Sequence, residues 1–209
     1  EVAPIEQEAR EPFTNGEIGA LLAASAGTDW ETAILVGAYG GLRIGDACNL
    51  KWEDVHLDAK IIEFIPQKTS RKKKRLRVPI HPTLQKHLEA IASRDSEKRS
   101  KFVCSVLAGQ PAGGRAGLSR AFMDLMETAG VDNKATDKKE GLGRAFSRKS
   151  FHSLRHFAVT TLANLGIAQD VRQKIAGHAD QKMTERYSHL HDETLRKAVE
   201  QMPDVRKSV

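Results

Sequence analysis

Long apolar runs are missing from this 209-residue chain. The longest, TAILVGAYGGL at residues 32–42, falls well short of the roughly 20 residues that a membrane-spanning helix needs. Cysteine is equally scarce. Cys48 and Cys104 stand alone with no paired spacing, which excludes a disulfide framework and a cysteine zinc site. No basic-then-apolar secretory leader opens the chain and no lipidation signal occurs in it, so the expectation is a cytoplasmic protein with no membrane partner. Glu1 is not an initiator methionine, which suggests a piece cut from something longer. What remains is an ordinary globular mixture. Its 40% apolar content suffices for the core of one large domain, or of one domain with a small appendage.

The net charge of +6 is modest, but its distribution is uneven. QKTSRKKKRLR, residues 67–77, carries seven basic side chains and no acid, and NKATDKKEGLGRAFSRK, residues 133–149, adds six against two acids. Clustered cations without compensating acids suit a polyphosphate partner, because each neutralised phosphate releases counterions. Arg71, Lys72, Lys73, Lys74 and Arg75 are the candidates for nucleic-acid contact. A solvated loop is the plain alternative.

The local patterns predict a mainly helical α+β domain with a small antiparallel sheet in its N-terminal half. Residues 1–12 read as a linker and 13–209 as the domain. TNGE at residues 14–17 fits a capping box, opening a helix with apolar positions Ile18, Leu21 and Leu22. A second helix spans 29–39 and stops at Gly40-Gly41, and IGDACNL forms a short helical segment. DVHL, KIIEFIP and RLRVPI read as three strands, with a turn near Asp58-Ala59 and the basic run as the second hairpin loop. Helices follow at 83–93 and 117–130, then a mobile loop at 131–149, then helices at 152–165, 168–176, 181–188 and 192–201. Tyr39, Leu154, Phe157, Val159, Leu162 and Leu165 read as packing positions.

One stretch concentrates chemistry: FHSLRHFAVTTLANLGIAQDVRQKIAGHADQKMTERYSHL, residues 151–190. His152 and Arg155, three apart, share a helix face near an N-terminus that also favours an anion. His178 and Tyr187 are nine apart, and nine residues of unbroken helix turn through about 900°, setting them on opposite faces. They meet only if the chain bends, and GHADQ supplies a Gly177 helix end and an Asp180 cap. A tyrosine phenol attacks a phosphodiester only when its proton is removed or its anion stabilised. Arginine forks suit the non-bridging oxygens of the phosphate, and a lysine or histidine can protonate the leaving oxygen. The set needs no metal or other cofactor.

In order along the chain, these residues resemble the catalytic domain of the tyrosine recombinases, the phage-integrase family. GLRIGDACNL looks like the first arginine box and QKT like the lysine segment. HSLRH matches the His-x-x-Arg box, AGH the following histidine and YSH the tyrosine. By that resemblance Arg43, Lys68, His152, Arg155, His178 and Tyr187 are catalytic, Tyr187 being the nucleophile and Asp46 supporting Arg43. The reaction implied is cleavage and rejoining of double-stranded DNA at an attachment or core site through a 3′-phosphotyrosyl intermediate, without ATP. A homotetramer on DNA is implied, with the C-terminal tail docking onto a neighbour. The family's N-terminal DNA-clamping domain is absent from this chain, and Lys72, Lys73 or Lys74 replaces Lys68 if the register slips.

Each residue also has an ordinary reading: Arg43 as a helix cap paired with Asp46, Lys68 as a surface lysine, Arg155 as half of a salt bridge, His178 as a turn residue, and Tyr187 as a half-buried core tyrosine. The helical stripe Leu195, Val199 and Met202 serves equally to pack the tail on its own domain. Zinc is disfavoured although His152/His156 and His189/His191 have ligand spacing, because cations are interleaved with these histidines. A type IB topoisomerase would use similar chemistry, but the spacing favours recombinases. The rival from another class is a recombinase relative that binds DNA without cutting it.

Overall fold

The computed structural model describes residues 11–72, 75–94, 100–133, 147–176 and 192–206. Thr14 and Glu17 form the expected capping box: the Thr14 hydroxyl accepts from the Glu17 N–H at 3.2 Å, and the Glu17 carboxylate accepts from the Thr14 N–H at 2.8 Å. Helix α1 (Asn15–Ala24) then buries Ile18, Leu21 and Leu22. Helix α2 (Asp29–Gly40) is buried from Thr32 to Gly40 and packs against α1, α3 (Ile44–Cys48), α4 (Pro82–Arg94) and α6 (His152–Asn164). A helix apolar on all sides must sit inside its domain, and this one does.

The sheet has the order β1 (Val55–His56), β2 (Ile61–Phe64), β3 (Leu76–Pro79), antiparallel throughout. Ile62 pairs with Val55 and Val78, and Phe64 with Leu76. Ile62, Phe64 and Val78 point into the core, while Glu63 on the other face meets Arg77 at 3.2 Å and Arg75 at 3.7 Å. The strands are shorter than expected, and the basic loop begins as a 3-10 stretch, Gln67–Lys72. Helices α5 (Leu118–Thr128), α7 (Gln169–Ala176) and α8 (Asp192–Glu200), with a 3-10 turn at Trp52–Asp54, complete the elements among the described residues. The helix expected at 181–188 lies outside them.

Helix α6 buries Leu154, Phe157 and Leu162, whereas Val159 is half-buried. Leu165 departs from the expectation at 42% exposed, because α6 ends one residue before it and its side chain falls off the packed face. Of the polar segment 131–149, residues 134–146 lie outside the described residues. Both described ends are anchored: Asn133 accepts from the Lys149 N–H at 2.7 Å, and the buried Lys149 ammonium pairs with Glu17. The end of α8 and the residues after it pack on their own domain, burying Val199, Met202 and Val205.

Helices α2 and α6 approach each other closely. A Cβ on Gly37 would lie 2.9 Å from Leu154 Cδ1 and 3.0 Å from Phe151 Cζ, inside van der Waals contact with two buried side chains. Overpacking of such a site typically costs about 1–3 kcal/mol. The Gly37→Val variant is therefore expected to lose about that much stability in a urea titration, whereas Gly16→Ala, with open space around its Cβ, should be neutral or stabilising.

Candidate active site

Helix α2 ends at Gly41, whose φ of 63° is the left-handed conformation that glycine adopts without strain. That bend turns the chain sharply toward α3, for which Arg43 is the N-cap residue, its carbonyl accepting from the Ala47 N–H at 2.8 Å. Arg155, on the first turn of α6, donates from Nη1 to the Gly41 carbonyl at 2.9 Å. The two arginines are thus set beside one end of α2, from positions 112 residues apart in sequence. The plain reading made Arg43 the helix cap; it is Arg155 whose side chain caps α2.

Arg155 is only 3% exposed. Burial pushes its guanidinium down to about 10, Arg43 pushes the same way, and Asp46 opposes both. It therefore stays charged at neutral pH. Among the described residues its Nε and Nη2 donors, both buried, have no hydrogen-bond partner. Nε–H and one Nη2–H form the side-on fork of a guanidinium, the edge that grips two oxygens of a phosphate or carboxylate at once. An unmatched buried donor costs about 1–3 kcal/mol, and an oxyanion at the fork would remove that cost.

Asp46, also buried, balances part of this charge. Burial raises its carboxyl, while the Gln67 N–H, Arg43 and Arg155 hold it down. Its Oδ1 accepts from the Gln67 N–H at 2.8 Å, so the residue directly before Lys68 is tied to the arginine pair. Gly45 lets Gln67 lie close: a Cβ there would sit 3.0 Å from Gln67 Oε1. Among the described residues, two buried or half-buried arginines against one carboxylate leave an excess of one positive charge, the complement of a phosphodiester.

His152 opens α6 exposed to solvent, and its ring meets His156 edge-on at 4.9 Å. Arg71 and Arg75 are exposed, and Arg75 shares Glu63 with Arg77. The backbones of Lys68 and Lys72 belong to the 3-10 stretch, but their side chains are not among those described. Lys73, Lys74, His178 and Tyr187 lie outside the described residues. The structure thus brings together Arg43, Asp46, Arg155 and the Lys68 segment, with His152 one helical turn before Arg155. Among the described residues no three His, Cys, Asp or Glu side chains gather as a metal site, and no helix is long and apolar enough to cross a membrane.

Local patterns show Glu17 only as part of a capping box, Gln67 only as part of the QKT segment and Lys149 only as part of a basic run, so their tertiary contacts escaped the reading of the sequence. Lys149, two residues before Phe151, is held by Glu17 and lies with its ammonium 5.9 Å from the centre of the Phe13 ring, which secures the entry to α6. Its partner is 132 positions away, so no local spacing could have flagged it.

Residues 13–194 match the model of the phage integrase family. The chain is 28% identical over 158 residues to transposase B of transposon PsiTn554 from Staphylococcus aureus, covering 75% of this chain and 24% of that protein. It is 25% identical over 217 residues to a XerC-like tyrosine recombinase from Caldanaerobacter subterraneus subsp. tengcongensis, covering 93% of this chain and 54% of that protein. The chain therefore spans about a quarter to a half of these relatives. The integrase of mycobacterium phage Brujita shares the fold at a TM-score of 0.64 and 21% identity, over 93% of this chain and 58% of that one.

Replacing Arg155 by Met removes a buried charge, its repulsion with Arg43 and the unmatched fork, at the loss of one hydrogen bond to Gly41. The expected outcome of Arg155→Met is stability within about 1 kcal/mol of the parent, or above it, in thermal and urea denaturation, together with loss of phosphodiester binding at the site. A loss above about 3 kcal/mol would mark Arg155 as a structural ion-pair member instead.

Proposed function

The chain belongs to the phage integrase family, and from that premise we propose that it is the catalytic domain of a site-specific DNA recombinase that cuts and rejoins strands through Tyr187. The observation that carries this reading is the buried Arg155 fork beside Arg43. In the proposed reaction both arginines hold the non-bridging oxygens of the scissile phosphate and stabilise the charge that develops on them. The Tyr187 oxygen attacks phosphorus as its proton passes to a histidine of the site, the P–O5′ bond breaks, and the leaving 5′-oxygen takes a proton from Lys68. His152 and His178 assist proton transfer and phosphate binding. Asp46 keeps Arg43 in place and, through the Gln67 N–H, sets the approach of the Lys68 segment. The reverse attack by a 5′-hydroxyl returns the strand to phosphodiester linkage, so the bond energy is conserved and neither ATP nor a metal takes part.

Double-stranded DNA is the partner in this reading, with residues 13–209 as the catalytic domain and Arg71, Lys72, Lys73, Lys74 and Arg75 along its backbone. Lambda integrase, whose fold is similar, has been solved as a dimer on a core site and as a tetramer on a Holliday junction. A tetramer with exchanged tails is the matching proposal for this chain. The alternative is a relative that docks on DNA without cutting it.

The test is a denaturing gel of the protein with a nicked duplex that traps the cleaved strand. A detergent-stable adduct is expected that persists in EDTA and is absent in Tyr187→Phe, while salt-sensitive DNA binding survives in that variant. Binding without an adduct in the unaltered protein would favour the docking module.

A further inference from the structure

The last described residues, 202–206, are held by two histidines whose ring protons are fixed by their partners. His81 accepts at Nδ1 from the Thr83 N–H at 3.2 Å, so its proton must be on Nε2, which donates to the Met202 carbonyl at 3.1 Å. His81 stacks on Tyr39 with ring centroids 3.9 Å apart. The Tyr39 hydroxyl donates to the Pro203 carbonyl at 3.2 Å and accepts from the Val205 N–H at 3.0 Å. His87 follows the same logic. Arg206 can only donate, so Nδ1 of His87 accepts from Arg206 Nη2 at 3.1 Å, and Nε2–H faces the Thr32 hydroxyl at 2.7 Å. Glu31 holds the other side of Arg206 Nη2 at 2.5 Å and stands 3.8 Å from His87 Nδ1.

Both rings must therefore be neutral while the tail is docked. A proton on His87 Nδ1 would point at the Arg206 guanidinium and compete with it for the one carboxylate of Glu31. We propose that residues 202–206 form a proton-operated latch, in which protonation of His87 transfers Glu31 from Arg206 to the imidazole and releases the tail from α2 and α4. Release would open the groove of about 480 Å³ that Glu31, Thr32, His87 and Arg206 line. The latch rests on contacts within this chain and does not depend on the recombinase reading.

The surroundings agree in sign. Burial lowers both imidazoles below the ordinary 6.5. Around His87, Glu31 from α2 opposes that shift, while Arg206 from the tail and Arg94 from α4 add to it. Around His81, the Met202 carbonyl, Asp204 of the tail and Glu200 of α8 oppose it. A base whose folded value is depressed gives its stabilisation in full above its ordinary value and loses it as pH falls below. Docking is thus complete at neutral pH and fails in acid.

Long-range ¹H–¹⁵N NMR of the whole chain from about pH 7.5 to about pH 5 tests this, with the Val205 amide reporting the docked tail. Both imidazoles are expected as Nε2–H tautomers while docked. The Val205 signal should move to its released position as His87 gains its proton, with the core amides unchanged. His87→Gln, neutral throughout, should move release to lower pH by about one unit or more, and Arg206→Gln should free the tail even at the upper end. A tail that stays docked while His87 titrates, a His87→Gln tail that leaves at the unaltered pH, a docked Arg206→Gln tail, or collapse of the core amides together with Val205 would each overturn the latch.

Discussion

The hydrogen bond from Arg155 to the Gly41 carbonyl is the contact on which the site depends. It exists because α6 lies close against α2, and it lies close because Gly37 presents no side chain to Phe151 and Leu154. The same α2 terminus turns through the left-handed Gly41 and delivers Arg43 two residues later. One helix end thus sets the relation between two arginines that neither neighbouring sequence nor direct attraction could bring together; like charges must be forced into company. The fold supplies that force through buried apolar contact, on the order of 25 cal/mol for each Å² removed from water.

The arrangement follows the usual balance between stability and function. A buried guanidinium edge with no partner among the described residues would destabilise a chain that left it so by roughly 1–3 kcal/mol per orphaned donor. Among those residues Asp46 offsets only part of the positive charge. Asp46 itself does two things at once, facing the arginines and holding the Gln67 N–H. The lysine-bearing hairpin is thereby registered against the arginines by a single carboxylate. Preorganisation of this kind lets charge stabilisation at a phosphate proceed without rearrangement of the protein. By contrast the two thiols are inert: burial pushes Cys48 up to about 12 and Cys104 higher still, so neither offers a nucleophile.

Periodicity and turn chemistry located the α-helices and strands among the described residues, though not the two 3-10 stretches or the short strand lengths. The capping box at Thr14, the Gly40-Gly41 stop and the β-branched and aromatic run KIIEFIP are local signals, and each produced the element it predicts. The ordered arginine and histidine boxes located the family because their spacing is a linear property. What stayed hidden was whatever depends on partners far along the chain. That Arg155 rather than Arg43 caps α2, that Glu17 secures Lys149, and that Arg206 sits between Glu31 and His87 all need the folded chain. The stripe at Val199 and Met202 was legible as an apolar face, but its destination was not: the described residues place it on its own domain.

The proposed chemistry requires a phosphate to sit at the Arg155 fork. The most direct measurement follows the Arg155 Nε–H resonance in ¹⁵N-arginine-labelled Tyr187→Phe protein as duplex DNA carrying a candidate core site is added. A saturable downfield shift of that proton, absent when the duplex has a neutral methylphosphonate at the scissile position, is the predicted result. An Arg155 signal unmoved while the same DNA binds would contradict the assignment and leave Arg155 as a helix cap alone.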